Sequence, residues 1–410
     1  MAFEIVRQEC MKNPEGRSRP CNPEEICEVL ENNQGSDAIQ GISLDLSQVG
    51  DLQLSADVFR KMPNLMFLKF YSVGVKRSCS VKLPSGLESF SNSLSHLKIL
   101  WNGVKNFGNL REINLAESKQ LTALPDFSAA QNLKHVDLCG NIKSLKSENQ
   151  LKSLAKLIVV GCYGLKEFSF SSDKITYLDL RPTSVEILDF STGCMEKLQY
   201  LVLNCSRLKY LPINDICCMR RLQSLVLYDI GGLIDKSKLH SLFDALLSLK
   251  VIHLDGAFKL TDLPNNTKHL SRLRCLCVSN CKSLQSLSEL PPSIEKLGAY
   301  ECSSLRTLQL TSHFEPSSLA DKKLLGPTLC YSVSYLRNLQ RLTLKGCEQL
   351  YELPEFMDSL SSLSSLDLSE SNVESLPASI KHLSNLKQNF LAGLKKTSFS
   401  ARIAAIPRNC

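Results

Sequence analysis

The side chains in this sequence best suited to chemistry are His253 and Asp255, followed by Cys275 and Cys277. Imidazole, carboxylate and thiolate groups are the ligands of zinc, which needs three or four of them converging on one point. The competing reading is a row of half-exposed side chains that share a surface incidentally. The choice depends on how closely the elements carrying them approach, and the incidental row is the expected outcome. No C-x-x-C pair recurs with paired histidines, so the 17 cysteines do not read as a metal framework. There is no G-x-S-x-G, no H-E-x-x-H and no G-x-x-x-x-G-K-[ST]. No catalytic, cofactor-binding or metal residue is therefore expected, and the chain does not read as an enzyme.

The elements that position these residues follow from a repeated spacing. The stretch LQRLTLKGCEQLYELPEF, starting at Leu339, fits neither a helix nor a plain strand. Its pattern recurs as LREINLAESKQLTALPDF from Leu110, LAKLIVVGCYGLKEF from Leu154, LQYLVLNCSRLKYLP from Leu198 and LRCLCVSNCKSLQSLSELP from Leu273. Successive starts between Leu110 and Ile294 lie 21 to 27 residues apart. Fixed-period L-x-x-L-x-L at this length is the signature of leucine-rich repeats. The second and third leucines alternate along a short strand and face inward. Asn141, Cys162, Cys281, Cys302 or Cys347 then occupies a tight bend, as small residues with buried, structural roles. Leu-Pro opens an extended return leg. No turn can bury its own core, so turns must stack. The expectation is an α/β repeat solenoid over residues 41–386, a curved horseshoe of about 12–13 repeats with a concave parallel sheet. Irregular stretches are expected near 72–108, around a compressed unit at Leu94, and near 305–335, as a poorly matching turn or a protruding loop.

On such a sheet, side chains between the leucines form columns across the open face, with strands ~4.8 Å apart. His253 and Cys277 become lateral neighbours. The candidate partner-binding residues are Tyr177, Tyr200, Tyr228, His253, Tyr300, Arg341 and Lys345, because tyrosine and arginine are enriched at binding hot spots. Tyr177, Tyr200 and Tyr228 come from successive units and are expected to form one aromatic patch. Arg341 and Lys345 would supply charge for an acidic partner.

Composition excludes other classes. The net charge of +7 is spread over 410 residues with acids interspersed, which argues against nucleic acid. No apolar run approaches the ~18 residues of a membrane span. Glu4, Arg7 and Glu9 interrupt any signal-peptide core, so a cytoplasmic or nuclear location is expected, with free thiols. Before the repeats, NPEEICEVLENN reads as a helix capped by Asn22 with Pro23 in its first turn, and IQGISLDLS as a strand with Ile42, Leu44 and Leu46 inward. Residues 387–410 carry Lys387, Lys395, Lys396, Arg402 and Arg408 with no acid, and read as a divergent basic tail.

The segment EIVRQECMKNPEGRSRPCNPEEICEVLENNQGSDAIQGISLDLS resembles the junction in plant intracellular immune receptors of the TIR–nucleotide-binding–leucine-rich-repeat class. There, the winged-helix end of the nucleotide-binding module leads into the repeats, which residues 1–40 match. MPNLMFLKFYS and LWNGVKNFGNLREINLAESKQLTALPDFS resemble the repeats of that class. Pro20-Cys21 departs from it, standing where an aromatic residue is usual. The resemblance implies a leucine-rich-repeat region that binds a pathogen effector or a guarded host protein and contacts the nucleotide-binding domain of a receptor. An NAD-cleaving TIR module and a P-loop module belong to the class, and neither is read here, so the chain is expected to be a fragment. The repeat arm of a ubiquitin ligase and a truncated, non-functional product are the alternatives.

Overall fold

The computed structural model describes residues 20, 22–45, 48–49, 52–54, 61–71, 81–82, 109–115, 130–138, 142–147, 153–170, 172–190, 195–288, 290–313 and 333–390. These fall into two units, residues 1–215 and 216–410.

In the first unit, α1 (Pro23–Glu31) begins at Asn22, whose side chain accepts from the Glu24 N–H at 3.1 Å. Ile26, Val29 and Leu30 turn inward from it. Seven parallel strands follow: Gly41–Asp45, Phe67–Tyr71, Glu112–Leu115, His135–Leu138, Lys156–Val159, Tyr177–Leu180 and Tyr200–Asn204. Ile42 and Leu44 are buried, as the alternation requires, while Leu46 lies outside the described residues. The ladder passes directly from Phe67–Tyr71 to Glu112–Leu115. The unit expected around Leu94, like Asn141, lies outside the described residues. The return legs form a second parallel sheet of Ser144–Ser147, Glu167–Phe170 and Ile187–Asp189. Phe168 fills its centre, with ring centroids 6.0 Å from Phe170 and 6.4 Å from Phe190.

In the second unit, seven parallel strands run Ser224–Tyr228, Val251–Asp255, Cys275–Ser279, Lys296–Tyr300, Arg341–Thr343, Ser365–Asp367 and Gln388–Phe390. Ile252, Leu276, Leu297, Leu342 and Leu366 are register partners in turn, and none is more than 1% exposed. Each contributes about 1.5–3 kcal/mol through burial. After the six-residue α2 (Ile213–Cys218), the helix α3 (Lys236–Ala245) forms one return leg, starting at Asp235, whose carboxylate accepts from the Lys238 N–H at 2.9 Å. The next leg is the 3₁₀ turn Asn265–His269. Asn266 ties the two legs together, donating to the His240 carbonyl at 2.9 Å and to Asp244 Oδ1 at 2.7 Å.

One expectation is narrowed and one corrected. Lys296–Tyr300 pairs directly with Arg341–Thr343, so of the two readings of the stretch near 305–335, a further turn or a protruding loop, the ladder supports the loop. Its base is an antiparallel pair, Thr311–His313 with Val333–Tyr335. At the other end, Gln388–Phe390 continues the ladder past Leu386, into the stretch read as a tail. Strand pairing uses backbone groups, so it proceeds even where Asn389 stands in place of the second leucine.

Consecutive turns are tied by side chains that reach backwards. Asn64, Asn109, Asn338 and Asn385, each just before a first leucine, donate to carbonyls of the preceding turn: Asp37 at 2.7 Å, Pro63 at 2.8 Å, Pro292 at 3.0 Å and Ser361 at 2.6 Å. The bend cysteines act alike. Cys302 Sγ lies 3.6 Å from the Val278 carbonyl, and Cys347 Sγ lies 3.2 Å from that of Ala299. Both cysteines are fully buried, as is Cys281. Burial pushes the Cys347 thiol up to about 12. The Cys302 thiol is pushed up by its hydrogen bond with Cys281 and by burial. The residue before each bend cysteine is left-handed, with φ of 69° at Gly161, 52° at Asn280, 52° at Glu301 and 71° at Gly346.

Candidate protein-binding face

In the first unit the strands open with Glu112, His135, Lys156, Tyr177 and Tyr200 in one register row. All five side chains leave the leucine core because they flank its inward residues. His135 Nδ1 lies 3.9 Å from Glu112 Oε2, with both groups solvated. Lys156 Nζ stands 5.2 Å from the centroid of the Tyr177 ring. The Tyr177 and Tyr200 rings stack at 5.7 Å, tilted by 35°. The next row holds Asp179, which is 4% exposed. A carboxylate that buried needs compensation, and Arg181 grips it through Nε to Oδ1 at 3.1 Å and Nη2 to Oδ2 at 3.1 Å. Burial, and then the Asp179 charge, push the Tyr177 phenol above its ordinary range. Its ring lies between a cation and a second phenol.

In the second unit, Tyr228 ends its strand and its ring lies 5.1 Å from that of His253. Tyr177 and Tyr200 open their strands, whereas Tyr228 closes its own and stacks on a histidine. The register continues from His253 to Cys277 and then to Gly298. Tyr300 folds back over Gly298: a Cβ there would sit 2.9 Å from Tyr300 Cε2 and 3.4 Å from Cys277 Sγ. Glycine is therefore what admits this ring, and Tyr228, His253, Cys277 and Tyr300 form one continuous surface. Arg341 neighbours Lys296 in register. Lys345 pairs with Glu370 at 3.3 Å, so its charge is already partly used.

His253 and Cys277 are lateral neighbours, as the spacing implied. The Asp255 carboxylate is engaged elsewhere, accepting from Asn280 Nδ2 at 3.0 Å and from the Asp229 N–H at 3.4 Å. Burial raises the Cys275 and Cys277 thiols, which opposes the thiolate form that metals require. Among the described residues, no three His, Cys, Asp or Glu side chains group to hold a metal ion. No helix among them is long and apolar enough to cross a membrane.

The stacked L-x-x-L-x-L turns, with a polar and aromatic open face, define a leucine-rich-repeat protein. Its curated relatives are plant disease resistance proteins, which bears out the resemblance carried by the junction and the repeats. The chain is 29% identical over 92% of its length to TMV resistance protein N of Nicotiana glutinosa, covering 33% of that protein. It is 30% identical over 89% of its length to disease resistance-like protein DSC1 of Arabidopsis thaliana, covering 31%. Disease resistance protein RPS4B of the same plant is 28% identical over 70% of this chain, which covers 29% of it. The chain thus spans about a third of these relatives. Among solved structures, a Leptospira interrogans leucine-rich-repeat protein, LIC12759, aligns over 92% of this chain and 88% of its own at 20% identity, with a TM-score of 0.46. No protein-family model matches the chain.

Proposed function

We propose that this chain is the ligand-sensing region of an intracellular plant immune receptor. It binds a pathogen effector or a guarded host protein through the open face of its sheet, and contacts the receptor's nucleotide-binding domain while the ligand is absent. The observation that carries this reading is the stacked Tyr177–Tyr200 pair beside Lys156, on a chain whose relatives are disease resistance proteins. Tyrosines that are rigid yet exposed bury area on binding at low entropic cost. The Tyr228–His253–Tyr300 surface and Arg341 serve the same role in the second unit, with Lys345 at its margin. The chain itself turns nothing over and acts in the cytoplasm or nucleus.

The test uses the full chain as bait in extracts of infected tissue, followed by an alanine scan against the captured protein. Tyr200→Ala and Tyr228→Ala should each weaken binding by about 1–2 kcal/mol, whereas Lys282→Ala on a return leg should do little. If the losses fall on the return legs and the tyrosines are neutral, the assignment to the open face is wrong.

A further inference from the structure

The second unit divides its charge between the two ends of its strands. Where strands close, carboxylates gather: Asp229, Asp255, Glu301 and Glu370, with Lys345 held by Glu370. Where strands open, and in the turns just before them, the described residues from 250 to 341 carry the opposite sign. Lys250, Arg272, Arg274, Lys296, Arg337 and Arg341 are all exposed there. The one carboxylate among them, Glu295, is bound by Arg274 at 3.0 Å. No carboxylate among the described residues pairs with the other five. A cavity of about 570 Å³ opens on this edge. Its walls carry the cations Lys250, Arg272 and Arg274 together with the polar Ser293, Asn338 and Glu295.

We propose that this edge is a docking groove for an acidic polypeptide segment, centred on Lys250, Arg272 and Arg274 and adjoining the tyrosine-bearing face at Arg341. Three features select that occupant. The backbone N–H groups of Lys250, Arg274, Glu295 and Gln340 are already bonded along the ladder, to carbonyls of Gln223, Lys250, Arg274 and Glu295. A partner therefore cannot join as an added strand and is held by side-chain charge. No aromatic side chain lines the cavity, and single-stranded nucleic acid is held by such stacking platforms. The Glu295 carboxylate in the lining can accept from peptide N–H groups, donors that a phosphodiester backbone does not carry. From the Val251–Asp255 strand to the Arg341–Thr343 strand is three strand spacings, about 14 Å, the reach of about four or five extended residues.

The experiment is fluorescence anisotropy with the full chain and a labelled peptide of about eight residues alternating glutamate and serine, a length that covers this span. Wild type should bind it saturably, and more weakly as salt rises. Lys250→Glu with Arg272→Glu should weaken binding by about tenfold or more. The charge-matched Lys259→Glu with Lys282→Glu, on return legs, should change it far less. Lys250→Gln with Arg272→Gln, a gentler change at exposed positions, should lose a smaller share in the same direction, and Tyr228→Ala should leave peptide binding intact. Absence of binding by wild type overturns the proposal. So does an equal loss in both charge-reversed pairs, which would be a net-charge effect, or an oligonucleotide of equal charge binding as tightly as the peptide.

Discussion

The return legs of the two units solve the same problem differently. In the first unit, turns of 21 residues, from Leu133 to Leu154 and from Leu154 to Ile175, return through strands that pair laterally into a second sheet. In the second, the 27-residue turn from Leu222 to Leu249 returns through the ten-residue helix α3, and the 24-residue turn from Leu249 to Leu273 through a 3₁₀ segment. The distance to be covered is set by the stacked leucines. An extended residue covers ~3.3 Å and a helical one ~1.5 Å, so a helical leg needs a longer repeat. The Leu273 to Ile294 turn, again 21 residues, supports this from inside the second unit: its leg holds the strand Ser286–Leu287, paired with Thr307–Leu308. Repeat length, more than leg composition, selects the leg.

The comparison can be broken most forcefully at the aromatic centres of the legs. Phe168→Ala, and Phe243→Ala at the buried aromatic ring of α3, should each cost about 3–5 kcal/mol, read by denaturant unfolding. Their hydrogen-exchange footprints should differ. A β leg shares its hydrogen bonds with its neighbours, so Phe168→Ala should expose amides of all three leg strands, Ser144–Ser147, Glu167–Phe170 and Ile187–Asp189. A helix satisfies its own, so Phe243→Ala should act mainly on α3 and the Asn265–His269 turn. Matching footprints would remove the distinction. Next in size, Asn266→Ala should cost about 1–3 kcal/mol by leaving the Asp244 and His240 acceptors without their donor, again confined to the helical legs.

A smaller effect is expected at the bends. Gly346 has φ of 71°, and a Cβ there would lie 3.3 Å from the Glu301 Cα. Gly346→Ala should therefore cost about 1–2 kcal/mol, measurable as a lowered Tm. The last effect is confined to alkaline pH, and near neutrality it leaves stability unchanged. The folded pKa of Cys347, about 12, is raised from 9.0. Its contribution is complete below the unfolded value and is lost as pH rises from 9 towards 12, at up to ~1.4 kcal/mol per pH unit. Cys347→Ala should flatten this part of the stability–pH curve. An unchanged slope would show that the buried thiol does not govern it.

The leucine registers, the Asn22 cap and the inward bend cysteines were legible because each depends on residue type at a fixed spacing. The legs were not, since leg geometry follows from repeat length summed over a whole turn. The left-handed bends at Asp229, Glu301 and Glu370 were hidden because residues other than glycine occupy them. The asparagines that tie turns together carried a readable signal, Asn-Leu at the start of a turn, whose meaning depends on knowing that the neighbouring turn presents a carbonyl. For the candidate face, the column positions of Tyr177 and Tyr200 could be read from spacing. The fold of Tyr300 over Gly298, and the grip of Arg181 on Asp179, depend on rotamers that spacing does not encode.

The ties made by Asn64, Asn109, Asn338 and Asn385, and by Cys302 and Cys347, point one way: each donor reaches the turn made before it. A chain emerging N-terminus first from the ribosome can therefore fasten every new turn onto one already present, and leaves a single unfastened edge at any moment. Truncations read this polarity directly. A chain ending at Gly346 lacks the thiol that reaches the Ala299 carbonyl, and one ending at Glu348 retains it. Those two residues should thus raise the protease resistance of the turn before the cut, the one that holds Ala299.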